Sequence, residues 1–201
     1  FNNGMIYIFG TGHSHMIAEE GHFRAGGFAP ICPILSSSTM LHESATFSSQ
    51  IERTKGVASQ LLDKYNLTSK DIIIIISNSG VNQAPIEAAL YAKKRKSKVI
   101  GISSLKYSKK INKNKKLYQL SDLHIDNCGP RGDAIISINK YRVAPFSTIG
   151  GVAIINAIIS EVAYNLRDEN PFPFYISSNM PNSKVHNEKL FAKYRSRNPH
   201  L

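Results

Sequence analysis

Two cysteines in 201 residues, Cys32 and Cys128, are too few for a disulfide scaffold. Cys32 reads as a buried thiol and Cys128 as a turn residue. Acidic side chains are also scarce, 14 Asp and Glu against 25 Lys and Arg, which leaves a net charge of +11. Such an excess fits nucleic acid, an anionic substrate or a lysine-rich surface, and position decides among them. Much of it lies in residues 106–116, where Lys106, Lys109, Lys110, Lys113, Lys115 and Lys116 stand among Asn and Ser with almost nothing to bury. No aromatic interleaving or nucleic-acid motif accompanies the run, so it reads as a solvated loop after a strand. No apolar stretch approaches the roughly 18 to 20 residues that a spanning helix needs. No charged n-region, apolar h-region and small-residue cleavage site stand in order at the start. The expected compartment is the cytoplasm, with neither membrane nor nucleic acid as partner. There are no internal repeats, and 42% hydrophobic with 19% charged residues is the composition of one ordinary globular core.

Against these absences stands residues 71–104. Five consecutive isoleucines, Ile72 to Ile76, empty into Ser77-Asn78-Ser79-Gly80, followed by an amphipathic stretch over 82–96 and a second apolar run over 98–103. Consecutive β-branched residues cannot alternate inside and outside, so the run predicts a strand covered on both faces, as in parallel sheets flanked by helices. A Ser/Asn/Gly turn that opens a helix at the carboxyl end of such a strand offers hydroxyls, free N–H groups and a positive dipole end to a phosphate.

The same grammar recurs along the chain. Residues 5–9 predict a first strand closed by Gly10-Thr11-Gly12-His13-Ser14, and residues 13–24 a helix ended by Gly26-Gly27. A helix usually precedes the first strand of such a domain, so an upstream segment is expected to lie outside this chain. Pro30 and Pro33 make residues 29–35 an edge strand or an extended segment. Residues 36–49 read as a polar loop and 50–65 as a helix that Gly56 weakens by about 1 kcal/mol relative to Ala. Residues 122–126 predict a strand ending in Asn127-Cys128-Gly129-Pro130, and 134–138 with 141–143 a small hairpin. Residues 148–166 predict the most apolar helix, whose Gly150-Gly151 pair admits close approach by the sheet or by a second subunit. The tail from 167 begins polar, passes Pro171-Phe172-Pro173-Phe174-Tyr175-Ile176 and ends basic. The order β-α-β-α-β-α-β-β-α argues a doubly wound, three-layer α/β/α sandwich with ligands at the carboxyl ends of its strands.

Two serine-bearing turns after successive strands, with Pro85-Ile86-Glu87-Ala88-Ala89 and Val99-Ile100-Gly101-Ile102-Ser103, resemble the SIS (sugar isomerase) domain, a flavodoxin-like phosphosugar-binding fold. The resemblance covers residues 5–166 and leaves 167–201 as a tail that completes the site or a subunit contact. Gly12-His13-Ser14-His15-Met16-Ile17-Ala18-Glu19-Glu20, Arg24-Ala25-Gly26-Gly27, Asp126-Asn127-Cys128-Gly129-Pro130-Arg131-Gly132-Asp133 and His186-Asn187-Glu188 look like a bacterial subfamily of SIS-domain phosphosugar isomerases. The resemblance implies that Ser14, Ser77 and Ser79 hold a sugar phosphate, with Gly12, His13 and Asn78 beside it. The common pattern continues Ser-Gly-Glu-Thr, whereas this chain has Val81 and Asn82, which leaves the fourth phosphate contact to the Asn82 amide.

Moving a carbonyl between the first two carbons of a sugar phosphate needs a base on one face and an acid–base group to open the ring. Glu20, Glu161 and His186 are the candidates. Glu20 follows the first phosphate turn, Glu161 lies in the apolar helix where partial burial would raise its pKa, and in some SIS enzymes a late histidine such as His186 reaches a neighbouring subunit's site. Each has a bland alternative as a solvated helix or tail residue. His15, Glu19 and His22 share one helix face at i, i+4 and i+7, a spacing that occurs often by chance, and the two histidines are read as hydrogen-bonded residues lining the pocket, not as metal ligands. The reading is a cytoplasmic aldose–ketose isomerase of a sugar phosphate, with no cofactor and no metal, assembled as a homodimer or homotetramer. The rivals are an etherase, deaminase or deglycase on an amino- or acyl-sugar phosphate, and a phosphosugar sensor without turnover.

Overall fold

The computed structural model describes residues 4–201. Five parallel strands form the central sheet: β1 (Ile6–Gly10), β2 (Ile31–Pro33), β3 (Ile72–Ile76), β4 (Lys98–Ser103) and β5 (Leu123–Asp126), in the order β2-β1-β3-β4-β5. Beyond β1 the chain reverses its direction of winding, so the crevice at the carboxyl ends of β1 and β3 is the topological switch point. β2 is the edge strand that its prolines require.

The isoleucine run divides by parity. Ile73 and Ile75 join Tyr7, Phe9 and Val99 in one core cluster, and Ile74 and Ile76 join Ile8 and Ile102 in the other. Successive strand side chains point to opposite faces, so a five-residue strand buried on both sides must be apolar throughout. Each such side chain contributes roughly 1.5–3 kcal/mol by burial.

Helices α1 (His13–Glu20), α2 (Ala45–Ile51), α3 (Val57–Leu62), α4 (Gln83–Lys94), α5 (Leu105–Ser108), α6 (Leu117–Leu120), α7 (Ser147–Asn165) and α8 (Ser183–Tyr194) complete the fold. Side chains of α1 and α7 cover one face of the sheet, and those of α3, α4 and α8 the other. The three layers are those read from the sequence.

Several boundaries differ from that reading. The first helix ends at Glu20, four residues early. The expected loop over 36–49 contains a 3-10 turn at Ser37–Thr39 and the first residues of α2. The single helix expected over 50–65 is broken: Gly56, at φ 92°, starts α3 anew, and the Glu87 carboxylate of α4 accepts from Gly56 N at 2.8 Å and Ser59 N at 3.0 Å. Those amides are orphans of a helix start, and their acceptor arrives from another element. The tail, finally, is structured: Leu190 and Tyr194 of α8 are buried, and Asn198 lies fully inside, donating to the Ile31 carbonyl at 3.2 Å.

Helix α7 also corrects an expectation. Its 19 residues are long and apolar enough, by length and composition, to cross a membrane. Its Gly150, Gly151 and Ile155 are nevertheless buried, and a Cβ on Gly151 would stand 2.3 Å from Ile17 Cδ1 of α1. The clearance at Gly151 therefore serves α1, while a Cβ on Gly150 would stand 2.8 Å from the Phe146 ring. Ahead of α7, strands β6 (Ala134–Ile138) and β7 (Tyr141–Pro145) form the hairpin as a separate antiparallel ribbon. Asp133 ties it to α7, accepting from Ser147 N at 2.7 Å and Ser147 Oγ at 2.8 Å.

Candidate functional site

Both serine-bearing turns leave the same edge of the sheet from adjacent strands, since Gly10 of β1 is in register with Ile76 of β3. The first turn depends on glycine twice. Gly12 has φ 57° and ψ −131°, a conformation that side chains resist. Gly10 has no room for a Cβ, which would lie 2.4 Å from the Ser14 carbonyl oxygen, so its bareness lets α1 begin directly on the end of β1. Gly12 N donates to the Thr39 carbonyl at 2.8 Å, fastening the loop after β2 to this turn.

In the second turn Ser77 is buried, and its Oγ accepts from Gly80 N at 3.3 Å, which leaves its hydroxyl proton to give. Asn78 is committed to its neighbours: its carbonyl accepts from Ser104 N at 2.9 Å and its Oδ1 from Asn127 Nδ2 at 3.0 Å. Asn127 Oδ1 in turn accepts from Gly129 N at 2.9 Å, so the turn after β5 braces the turn after β3. The side chains of Ser14, Ser79 and Asn82 make no hydrogen bond among the described residues. Asn82 is the residue at the start of α4 and does not cap it; the Glu52 carbonyl takes Ala84 N and Pro85 has no N–H, so Gln83 N is the first-turn amide of α4 left open among the described residues. Two turns thus present unspent donors at one crevice, which suits a phosphate.

The three acid–base candidates lie apart. Glu20 is held by Arg24 and by Asn156 Nδ2 of α7 at 3.1 Å. Glu161 is exposed on α7 and accepts from Asn165 Nδ2 at 3.1 Å, so the partial burial expected of it is absent. His186 Nε2 meets the Phe174 carbonyl at 2.9 Å within its own chain. His13 is exposed at the mouth of the first turn. Among the described residues no three His, Cys, Asp or Glu side chains gather as a metal would require. His15 and Glu19 do meet, with Nδ1 to Oε1 at 3.4 Å, but His22 turns toward His200, with ring centroids 6.3 Å apart. Burial pushes the His15 imidazole below its ordinary value against the pull of Glu19.

Sequence reasoning passed over Thr11 and Glu52. Thr11 Oγ1 donates to Glu52 Oε1 at 2.8 Å, and the Glu52 carbonyl accepts from Ala84 N at 2.9 Å, so one residue links the first turn to the start of α4. Glu52 sits in the break between α2 and α3, and Gly56 was its one local signal. It also passed over the loop at 40–42. A cavity of about 350 Å³ opens beside the first turn, lined by Gly12, His15, Met16, Glu19, Leu41 and His42.

A family model described as SIS domain matches residues 1–104. A UPF0309 protein of Brucella anthropi is 47% identical over 199 residues, covering 98% of this chain and 82% of the relative. One of Brucella canis is 46% identical over the same shares. Among solved structures, a phosphoheptose isomerase from Neisseria gonorrhoeae matches with a TM-score of 0.54 at 17% identity, over 80% of this chain and 77% of its own, a likeness that speaks to the fold. The model spans more than half of the chain and ends just past β4, taking in both serine turns at the switch point, and the chain belongs to the SIS domain family of phosphosugar-binding domains.

Proposed function

We propose that this protein is a cytoplasmic aldose–ketose isomerase of a sugar phosphate, acting by proton transfer through an enediolate. The observation that carries the reading is the pairing of two turns on adjacent strands whose Ser14, Ser79 and Asn82 side chains have donors to spare, beside the Gln83 amide that opens α4. Ser77 completes the grip through its hydroxyl proton, and Gly12 and His13 flank the phosphate. Asn78 supports the turn through its contacts with Ser104 and Asn127. The chemistry needs no cofactor, because each proton removed is returned.

The working form is a homodimer or homotetramer. Ile149 and Tyr164 of α7 are 68% and 65% exposed in the single chain, and Ile136, Ile138 and Val143 of the hairpin are exposed too. Apolar surface of this extent on neighbouring elements calls for a cover.

Ser79→Ala and the Ser77→Ala/Ser79→Ala pair test the phosphate assignment by calorimetry with sugar phosphates. A hydrogen bond to a charged oxygen contributes about 1.5–3 kcal/mol, so the pair should weaken binding by at least about 2 kcal/mol, near 30-fold in Kd. Unchanged affinity in both variants refutes the assignment.

A further inference from the structure

The cavity beside the first turn brings together what the other acid–base candidates do not: a carboxylate, an imidazole and the glycine of a phosphate turn. We propose that Glu19 and His42 are the catalytic pair of this site, Glu19 moving the proton between carbons and His42 opening the sugar ring, with His15 as the positioning residue of Glu19. The assignment rests on the sugar-phosphate reading above and names its acid–base groups.

Three observations support it. Gly12, Glu19 and His42 line one cavity of about 350 Å³, at the small end of the range for small-molecule sites. Gly12 belongs both to this cavity and to the first turn, so the cavity adjoins the place where the phosphate is proposed to sit. Glu19 and His42 come from different elements, α1 and the loop after the 3-10 turn, and that loop is tied to the site by the Gly12 N to Thr39 carbonyl bond at 2.8 Å and by Ser48 Oγ to the same carbonyl at 3.0 Å. Beneath Glu19 stands His15, 1% exposed, its Nδ1 at 3.4 Å from the carboxylate and its Nε2 without a hydrogen-bond partner among the described residues. A carboxylate only accepts, so the contact favours the tautomer with its proton on Nδ1, which turns the carboxylate toward His15. The charged or titratable groups facing His15 are Glu19 on its own helix, His42 from the loop and His200 from the chain's end.

The chemistry balances without a co-reactant. In ring opening, the His42 imidazole takes the proton of the anomeric hydroxyl as that O–H pair becomes the C=O bond. The ring C–O pair passes to the ring oxygen, which takes the proton back. Glu19 then removes the proton from the carbon next to the carbonyl; the C–H pair forms the C=C bond, and the carbonyl pair moves onto oxygen. The proton of the neighbouring hydroxyl passes to that oxygen, and Glu19 returns its own proton to the former carbonyl carbon, leaving the isomeric carbonyl.

The test is solvent deuterium exchange into glucose 6-phosphate, ribose 5-phosphate and N-acetylglucosamine 6-phosphate, with binding of each followed by calorimetry. Glu19→Gln should lose at least about 100-fold in exchange, the scale of general acid–base catalysis, with Kd within about threefold of the parent. His42→Gln should slow turnover of the ring form with the same Kd. His15→Gln should lower kcat with KM unchanged. Both Glu19 and His42 reach the surface, so their variants fold even if that of the buried His15 does not. Exchange at the parent rate in Glu19→Gln or turnover at the parent rate in His42→Gln overturns the pair. A parent that binds the panel but never exchanges overturns the pair and leaves the phosphate site standing, whereas a parent that binds none of the three overturns both.

Discussion

Asp71→Asn removes a charge on which the start of the sheet and the end of the chain both depend. The Asp71 side chain is fully buried, and Arg197 is 29% exposed. Oδ1 accepts from Met5 N at 2.8 Å; Oδ2 accepts from Thr68 N at 2.7 Å, Thr68 Oγ1 at 2.8 Å and Arg197 Nη2 at 2.8 Å. Burial alone would push this carboxyl up, but Arg197 and the Met5 and Thr68 donors outweigh it and hold the pKa below the usual carboxylate value. An amide can serve only one side: if its oxygen keeps the three donors, its NH₂ faces Met5 N–H, and the reverse orientation is worse. Removing one partner of a buried ion pair costs about 3–5 kcal/mol, which at about 2–4 °C per kcal/mol for a chain of this size lowers Tm by roughly 6–20 °C. The pH dependence has a definite sign. A depressed folded pKa gives stability that is present above the unfolded carboxylate value and is lost as pH falls through the folded one. Urea titrations of the parent and Asp71→Asn at pH 7 and under acid should therefore converge as pH falls below about 4. A loss under about 1 kcal/mol at pH 7, or a gap that does not close in acid, refutes the reasoning.

Three further outcomes are expected. Gly10→Ala places a methyl 2.4 Å from the Ser14 carbonyl oxygen and should shift the first turn of α1, weakening inorganic phosphate and sugar-phosphate binding together; calorimetry showing parent affinity for both contradicts the turn's role. Burial lowers the pKa values of His15, His22 and His200, so the native state binds fewer protons than the unfolded chain: their contribution is complete above about pH 6.5 and fades as pH falls toward the folded values. Denaturation between pH 7 and 5 should show that slope, and His22→Gln and His200→Gln should flatten it. Light scattering should give a dimer or tetramer, shifted toward monomer by Ile149→Glu with Tyr164→Glu, and a parent that is monomeric at micromolar concentration counts against the assembly.

Where local chemistry was unambiguous, the sequence was readable. Five adjoining isoleucines have one economical environment, and β3 occupies it; Pro30 and Pro33 forbid a central strand, and β2 is at the edge. The two glycine- and serine-rich turns were legible because backbone geometry and hydroxyl chemistry both concentrate there. Less legible was the stretch 50–65, where helical spacing continued across Gly56 but the break is stabilised by Glu87, 31 residues away in sequence. The tail was opaque for a similar reason. Its Asn187 exchanges two bonds with the Ile176 backbone, at 3.0 and 2.8 Å, and Asn198 accepts from Cys32 Sγ at 3.4 Å. Asn198 is buried and Asn187 half-buried, each with partners that lie far from it in sequence.

By itself the sequence determined the parallel sheet, its two-sided core and the phosphate-suited turns, because strand parity, proline and glycine act within a few residues. Which carboxylate and which imidazole share a cavity was decided by the tertiary structure alone. Glu19 and Glu20 are neighbours on one helix, 100° apart in direction, and sequence does not say which faces the crevice. The structure holds Glu20 beside Asn156 of α7 and leaves Glu19 on the wall shared with His42. That choice is made by the packing of Ile17 into the notch at Gly151, which sets how α1 is turned about its axis.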